Sequence, residues 1–577
     1  MATDKFIANL PKIYGLYTGG FLAFVVVLGI LEMFGLPQRV IGWIFLAATI
    51  GLYAVIGIIS RTSEVSEYYV AGRKVPPVFN GMAVGSDWMS AASFIGMAGT
   101  LYAFGYDGLA YVMGWTGGYV LVALLIAPYL RKFGQYTVPD FLGARYGGNM
   151  ARTIGIIAAI AASFTYVVAQ ITGAGIITSR FLEIPFEVGV FVGLAGILVC
   201  SMLGGMRAVT WTQVAQYIIL IIAYLIPIVW MSYQVTGVPI PQLMYGEALQ
   251  QIAVLEQQLG VTNPHAVPFT DMDKLNFMAL TFCLMVGTAA LPHILMRFYT
   301  TPSVRAARNS VGWSLFFIFL LYFSAPAYAA FAKLEVYKNV IGTPIAELPA
   351  WVESWARVGL VRVEDVMGDG ILHLQGLTLN ADAIVLATPE IAGLPYVIAG
   401  LVAAGGLAAA LSTADGLLLT ISNALSHDLY YKMVNPQAST KKRLMIARSL
   451  LLLVAVVAAA VAAQRPAGIL AIVAWAFSLA GAAFFPALVL GVFWSRANKA
   501  GAVAGMIVGF GLTLFYLIGV HFMGMDKWFG INAVAAGTFG IPAGFITMIV
   551  VSLLTQAPSQ EVRNFVQSVR YPRLDQA

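Results

Sequence analysis

The chain is 577 residues long, 60% hydrophobic and only 10% charged, with a mean hydropathy of +0.84. These values exclude a soluble globular domain: apolar runs of about 20 residues recur from end to end, each long enough to cross a ~30 Å hydrocarbon layer. The formal net charge of +6 is spread over the loops and does not point to nucleic acid. The two cysteines, Cys200 and Cys283, both sit in apolar runs and offer neither a disulfide framework nor zinc spacing.

In chain order, apolar spans are predicted over 15–35, 40–60, 78–104, 109–130, 152–178, 184–203, 210–234, 273–297, 309–333, 394–422, 446–463, 468–494, 501–522 and 531–555. That makes an all-α polytopic membrane protein of fourteen spans. Lys5 and Lys12 precede the first one, but no small-residue cleavage site follows a short apolar core, so the segment reads as an uncleaved span. Basic residues set the orientation. With the N-terminus in the cytoplasm, most of the 32 Lys and Arg fall inside, among them Arg61, Arg73, Lys74, Arg131, Lys132, Lys441, Lys442, Arg443 and Arg573. The long loops 235–272 and 334–393, rich in Asp and Glu, then lie outside and both termini inside. The expected location is the plasma membrane, which in a bacterium is the inner membrane. Neither loop carries a catalytic signature. Residues 239–259 read as an amphipathic surface helix, and the loops read as a lid or spacer.

One span breaks the pattern. Val78–Phe104 is apolar at both ends, but Val84-Gly-Ser-Asp-Trp-Met-Ser-Ala-Ala-Ser93 packs a Gly, three Ser and Asp87 into its centre. A charge near the bilayer centre costs at least ~2.5 kcal/mol, and Ser and Gly hold helical geometry poorly. The segment is expected to unwind midway and offer carbonyls and hydroxyls to a polar ligand. The alternative is a close helix–helix contact made by small residues. A second span, Phe277–Arg297, repeats the anomaly with Gly287-Thr288 at its middle and Pro292 behind. Five spans begin with each, over 78–234 and 273–494, and the two groups enter the membrane from opposite sides. Paired interrupted helices opening two inverted halves are the sequence pointer to a secondary transporter with a midplane site. The organisation expected is thus 1–77 with two accessory spans, the halves 78–234 and 273–494 joined by loop 235–272, two further spans in 495–555, and a tail, 556–577.

Five further motifs carry a family resemblance. They are Ser66-Glu-Tyr-Tyr-Val-Ala-Gly-Arg73; Thr137-Val-Pro-Asp-Phe-Leu142 with Arg145-Tyr146; Gly204-Gly-Met-Arg-Ala-Val-Thr-Trp-Thr-Gln213; Leu411-Ser-Thr-Ala-Asp415 with His427-Asp-Leu-Tyr430; and Gly481-Ala-Ala-Phe-Phe-Pro486 with Trp494-Ser-Arg-Ala-Asn-Lys499. Over about residues 60–520 the chain resembles the solute:sodium symporters, and its interrupted helices look most like those of the acetate and monocarboxylate permeases. The resemblance implies an inverted five-plus-five, leucine-transporter-like fold and sodium-coupled symport of a short, acetate-like monocarboxylate by alternating access. Two departures stand out. Gln213 occupies a position where many members carry Asp, which puts a second cation site in doubt, and the first span is additional to the usual plan.

The same resemblance implies a sodium site made of the backbone carbonyls of Ser86, Met89 and Ala409 with the hydroxyls of Ser412 and Thr413. Spacing is compatible, since 409, 412 and 413 lie at i, i+3 and i+4 on one helix face; the alternative is that both hydroxyls bond back to their own helix. Asp87 and Asp415 are candidates for coupling or gating. No Arg or Lys is evident within the spans, so a carboxylate is expected to rely on half-helix N-termini, with Ser90, Ser93 and Thr288 adding hydroxyls. Gln170 and Thr172 are further cavity candidates, with polar packing as the alternative. His293 reads as a packing group, and Arg207 and Arg297 as topological anchors at cytoplasmic span ends. The expected partners are sodium, a small carboxylate and the bilayer, with no cofactor, nucleic acid or protein partner. Symport of another solute such as proline, a sugar or a vitamin, or coupling to protons, remains the alternative. A sensor is disfavoured because few residues follow 555. An enzyme is disfavoured because phosphate-binding loops, metal-ligand clusters and nucleophile–base motifs are lacking.

Overall fold

The computed structural model describes residues 2–60, 62, 64–202 and 205–571; Arg61, Gly204 and Arg573 lie outside them. Helices dominate. The strands among the described residues are Val361–Val363 and Leu377–Leu379, paired antiparallel within the 334–393 loop.

In chain order, α1 (Leu10–Met33) and α2 (Gln38–Ile59) come first. Next, α3 (Pro77–Trp88) stops at Met89, whose ψ of 71° leaves the helical region, and the chain resumes through a wide turn, Ala92–Gly96, into α4 (Met97–Phe104). Then come α5 (Leu109–Leu121), α6 (Asn149–Leu182), α7 (Phe186–Ser201) and α8 (Gly205–Thr236). The second interrupted helix consists of α9 (Lys274–Thr288) and α10 (Pro292–Met296). It breaks where expected, because Pro292 has no N–H for the ladder and Leu291 is extended at ψ 117°. The later long helices of the bundle are α11 (Val304–Tyr322), α12 (Ala325–Asn339), α13 (Tyr396–Asn423), α14 (Thr440–Ala463), α15 (Ile469–Phe493), α16 (Lys499–Phe522) and α17 (Gly537–Leu554).

Twelve helical stretches among the described residues are long and apolar enough to cross a membrane by length and composition. The sequence reading counted fourteen, and the difference is local. Residues 92–133 form one 42-residue stretch on that measure, although a tight turn at Gly105–Gly108 separates α4 from α5. The apolar part of α7, Phe186–Leu198, is short.

Packing sorts the helices into a centre and a rim. Every residue of α13 except Ile398 is buried, so it has no face for lipid. Its run Gly405-Gly-Leu-Ala-Ala-Ala410 lets neighbours approach closely. By contrast, α1 and α14 expose Val26, Val27, Ile30, Leu453, Val456 and Val457, which is what a lipid-facing helix requires. At the centre, α3 packs on α8 and α11, while α9 packs on α15 and α5. The helices α6 and α13 pack on each other, α6 also on α15 and α13 also on α8. Each interrupted helix therefore lies against the second helix of the other group and the last helix of its own.

The long loops are ordered against this core. Asp107 at the α4–α5 turn accepts hydrogen bonds from the backbone N–H groups of Phe269, Asp271 and Met272 at 2.7–2.9 Å. The expected surface helix is present as Pro241–Leu259 and buries Ala248, Ile252 and Glu256 against α12. In the 334–393 loop the Ala381 carbonyl occupies the space beside Gly99, where an added Cβ would lie 1.7 Å from it. Asp382 is buried next door and accepts from the Ile469 N–H at the start of α15, 3.4 Å away. Burial pushes its carboxyl up to about 6, from the ordinary 3.8, against the lowering effects of that hydrogen bond and of Arg465. A folded value above the unfolded one means that this contribution to stability is fully present below the unfolded value and is lost as pH rises through about 6. Thermal stability is expected to decline between about pH 4 and 6 and to level off above that, and Asp382→Asn to flatten that decline. Gly99→Ala is expected to lift the segment, so that a cysteine replacing the buried Ala383 reacts faster with a thiol reagent in detergent. Equal rates would show that the backbone absorbs the methyl.

Candidate functional site

The interruption in α3 leaves its last carbonyls without helical partners, and α13 meets them. Ser412 Oγ lies 2.7 Å from the Ser86 carbonyl and 3.0 Å from that of Ala409. Thr413 Oγ1 donates to the Asp87 carbonyl at 2.8 Å. Of the five candidate sodium ligands, Ser86, Ala409 and Ser412 are thus in direct contact, and Thr413 touches the neighbouring carbonyl. Met89 is buried at the end of α3, with its N–H on the Gly85 carbonyl at 2.8 Å. Carbonyl and hydroxyl oxygens without formal charge suit a hard cation, and each hydroxyl has lone pairs to offer once its proton swings away. Gln213 on α8 donates to the Ser412 carbonyl at 2.6 Å, so the residue that departs from the common Asp braces this cluster from behind.

Asp87 sits one residue further on, and here the sequence reading needs correcting. Arg297 is no topological anchor at a span end. It is 1% exposed, and its Nε donates to Asp87 Oδ2 at 3.0 Å. Its Nη1 reaches Thr210 Oγ1 at 3.0 Å and Met206 Sδ at 3.2 Å, both on α8. The expectation of no cation within the spans also fails at this residue. The reason is the break: with the helix restarted at Pro292, the short turn Arg297–Thr300 runs inside the protein instead of emerging from it. The other oxygen of Asp87 lies against α13, where a Cβ on Gly416 would come within 2.3 Å of Oδ1. Asp415, the second coupling candidate, is buried beside that glycine. Arg207 is a quarter exposed and pairs with Glu67 at 2.5 Å.

The five solute candidates divide. Ser90 Oγ accepts from the N–H groups of Ala92 and Ser93 at 3.2 and 3.4 Å, capping the resumed helix. Ser93 Oγ lies 3.0 Å from the Tyr322 hydroxyl. Gln170 Oε1 accepts from the Ala91 N–H at 2.9 Å, which brings α6 onto the break itself. Thr172 and Thr288 instead return their hydroxyls to their own helices, at the carbonyls of Val168 (2.8 Å) and Leu284 (2.6 Å).

Around the break stands an aromatic wall that sequence reasoning missed. The Trp88 ring lies 4.9 Å from that of Tyr119 and 5.6 Å from that of Phe477, and its Nε1 donates to the Tyr322 hydroxyl at 2.7 Å. Trp115 packs on Phe477 at 5.7 Å, and Tyr166 packs on both Phe477 and His293 at 5.9 and 5.5 Å. These rings come from helices far apart in sequence, so no spacing could have grouped them.

A second buried cluster joins Asp140, His427 and Asp428, whose ligand atoms lie within 4.8 Å of one another. Its hydrogen bonds oppose metal binding. Arg443 only donates, so the His427 Nδ1 it meets at 3.2 Å is an acceptor. The ring proton is then on Nε2, which faces Asp140 Oδ2 at 3.7 Å. Thr137 supplies a donor to Asp428 at 2.8 Å and Arg152 one to Asp140 at 3.4 Å. The cluster ties the short helix Val138–Tyr146, which precedes α6, to the wide helical turn Ala424–Val434 that follows α13.

Residues 68–347 and 366–509 match the sodium:solute symporter family. The chain belongs to that family. It is 47% identical, over 99% of both chains, to an uncharacterized symporter of Cupriavidus necator. It is 29% identical to a monocarboxylic acid transporter of Corynebacterium glutamicum, covering 81% of this chain and 80% of that one. It is also 28% identical to the uncharacterized symporter YwcA of Bacillus subtilis, over 78% and 80%. Among solved structures it is similar to a Na+-coupled sialic acid symporter in a substrate-bound outward-open state. The TM-score is 0.69 at 18% identity, covering 90% of this chain and 99% of that one, which is a likeness of fold. The protein is a multi-pass membrane transporter of the symporter class and not an enzyme.

Proposed function

We infer that this symporter couples sodium entry to uptake of a short monocarboxylate of the acetate, propionate, pyruvate or lactate kind by alternating access. The observation that carries the coupling ion is the meeting of the Ser412 and Thr413 hydroxyls with the end-of-helix carbonyls of Ser86 and Asp87. Such a cluster holds a small hard cation without formal charge, so binding stays reversible. The family and the Na+-coupled fold relative support the same ion. Similarity to the Corynebacterium monocarboxylic acid transporter supports the solute class. A zwitterion such as proline is less well served, because the Asp87 carboxylate that would take its amine is engaged by Arg297.

In this reading all fourteen segments cross the membrane and 78–234 and 273–494 are inverted halves, consistent with the exchanged packing of α3 with α11 and of α9 with α5. Both termini and loop 423–445 are cytoplasmic in the bacterial inner membrane. With Cys200 and Cys283 replaced, a cysteine at Pro436 is expected to resist an impermeant thiol reagent in intact cells; labelling there would reverse the topology. For transport, proteoliposomes are expected to accumulate labelled acetate, propionate, pyruvate or lactate under an inward sodium gradient and not without one. Competition by proline or glucose, with none by monocarboxylates, would assign a different solute.

A further inference from the structure

Two buried polar side chains at the interruptions have hydrogen-bonding capacity that neither the sodium cluster nor the Asp87–Arg297 pair uses. His293 is the second residue of α10, directly behind Pro292, and is 2% exposed. Neither of its ring nitrogens has a partner among the described residues. Gln170 on α6 is fully buried. Because its Oε1 accepts the Ala91 N–H, the amide orientation is set, and the remaining group, Nε2, is a donor with no partner among the described residues. Tyr166 stands one helical turn before Gln170 and presents its ring to His293 at 5.5 Å, nearly edge-on. The two spare groups therefore border the same aromatic residue beside both helix breaks.

Buried donors left unpaired are costly and are retained where a ligand completes them. Gln170 can offer only N–H, and a neutral imidazole offers one N–H and one acceptor. A ligand suited to both must bring acceptors. The charge of the nearby guanidinium is already matched: Arg297 donates through Nε to Asp87 and through Nη1 to Thr210, and only its Nη2 is without a partner among the described residues. We propose that Gln170 Nε2 and the His293 ring N–H hold the carboxylate oxygens of the transported solute. The proposal rests on the monocarboxylate reading above and assigns the packing residue of the sequence analysis a specificity role. Recognition by neutral donors lets the anion bind without a fixed countercharge, which would hold it through the transport cycle.

The test measures initial uptake rates of labelled acetate or pyruvate in proteoliposomes of the full chain, with variants Gln170→Leu, His293→Leu and His293→Gln. Losing one donor to a carboxylate is expected to raise the solute KM about 5- to 150-fold. The sodium concentration for half-maximal uptake at saturating solute should stay unchanged. His293→Gln keeps an N–H and is expected to recover most of the loss. Acetamide, a neutral isostere, is expected to inhibit the parent weakly and the two Leu variants no worse than the parent. If the parent transports a monocarboxylate but KM is unmoved in both Leu variants, this assignment is wrong and the monocarboxylate reading stands. If KM and sodium dependence shift together and His293→Gln fails to rescue, the residues are structural and the assignment is again wrong. If the parent transports no monocarboxylate, the functional reading itself fails and the carboxylate assignment falls with it.

Discussion

Arg297→Ala is expected to abolish uptake and to destabilise the folded protein by about 3–5 kcal/mol, the range for breaking a buried ion pair by removing one partner. Asp87 and Arg297 are 0% and 1% exposed, so neither charge has water to fall back on when the other is lost. The two also pin three elements together: the end of α3, the turn after α10, and α8 through Thr210. Alternating access requires the two interrupted helices to move relative to the rest, and a pair joining both at their breaks is placed to gate that movement. Asp87→Asn alone should be milder in stability, because an amide still accepts from the guanidinium, but it leaves Arg297 uncompensated. The double variant Asp87→Asn with Arg297→Gln removes both charges and is expected to recover most of the stability without restoring uptake. Thermal unfolding of the parent, Asp87→Asn, Arg297→Gln and the double variant measures the coupling between the two residues. If Arg297→Ala unfolds at the temperature of the parent and transports normally, the pair has no gating or structural role.

The second large effect belongs to Thr413. Removing its hydroxyl deletes one oxygen from a cluster that a dehydrated cation cannot replace from lipid. A lost partner of this kind is worth ~1–3 kcal/mol, or about a 5- to 150-fold rise in the sodium concentration for half-maximal uptake. Ser412→Ala is expected to show a smaller shift, because the Ser412 hydroxyl is shared between the Ser86 and Ala409 carbonyls, and Ala409 belongs to its own helix. Sodium titration of uptake at saturating solute reads the shift directly, and membrane abundance checks that both variants fold. Unchanged sodium dependence in both would mean that these hydroxyls only lock α13 to α3. Thr413→Ser retains the oxygen and should behave nearly as the parent.

Sequence alone was enough to show a helical membrane protein, because burial in lipid imposes long apolar runs that no soluble chain needs. The two breaks were legible as well. Gly, Ser and Asp in one apolar run, and Pro292 in another, are local violations of helix chemistry and need no knowledge of what lies nearby. The facing of Ser412 and Thr413 toward one side was visible in their spacing, since a helix repeats its faces every three to four residues.

Other features depended on residues distant in the chain. Arg297 looked like a span-end anchor because distance along the sequence was the only measure of depth, and a restarted helix breaks that measure. Thr172 and Thr288 are cavity candidates by position, but which oxygen a helical hydroxyl bonds is decided by what packs beside it, and here each bonds its own helix. The aromatic wall of Trp88, Trp115, Tyr119, Tyr166 and Phe477 has no sequence signature because four separate segments contribute to it. His293 carried no signal as a lone polar residue. Only the assembled helices show that both of its nitrogens are buried without a partner, since partner and burial are properties of the neighbourhood that folding creates.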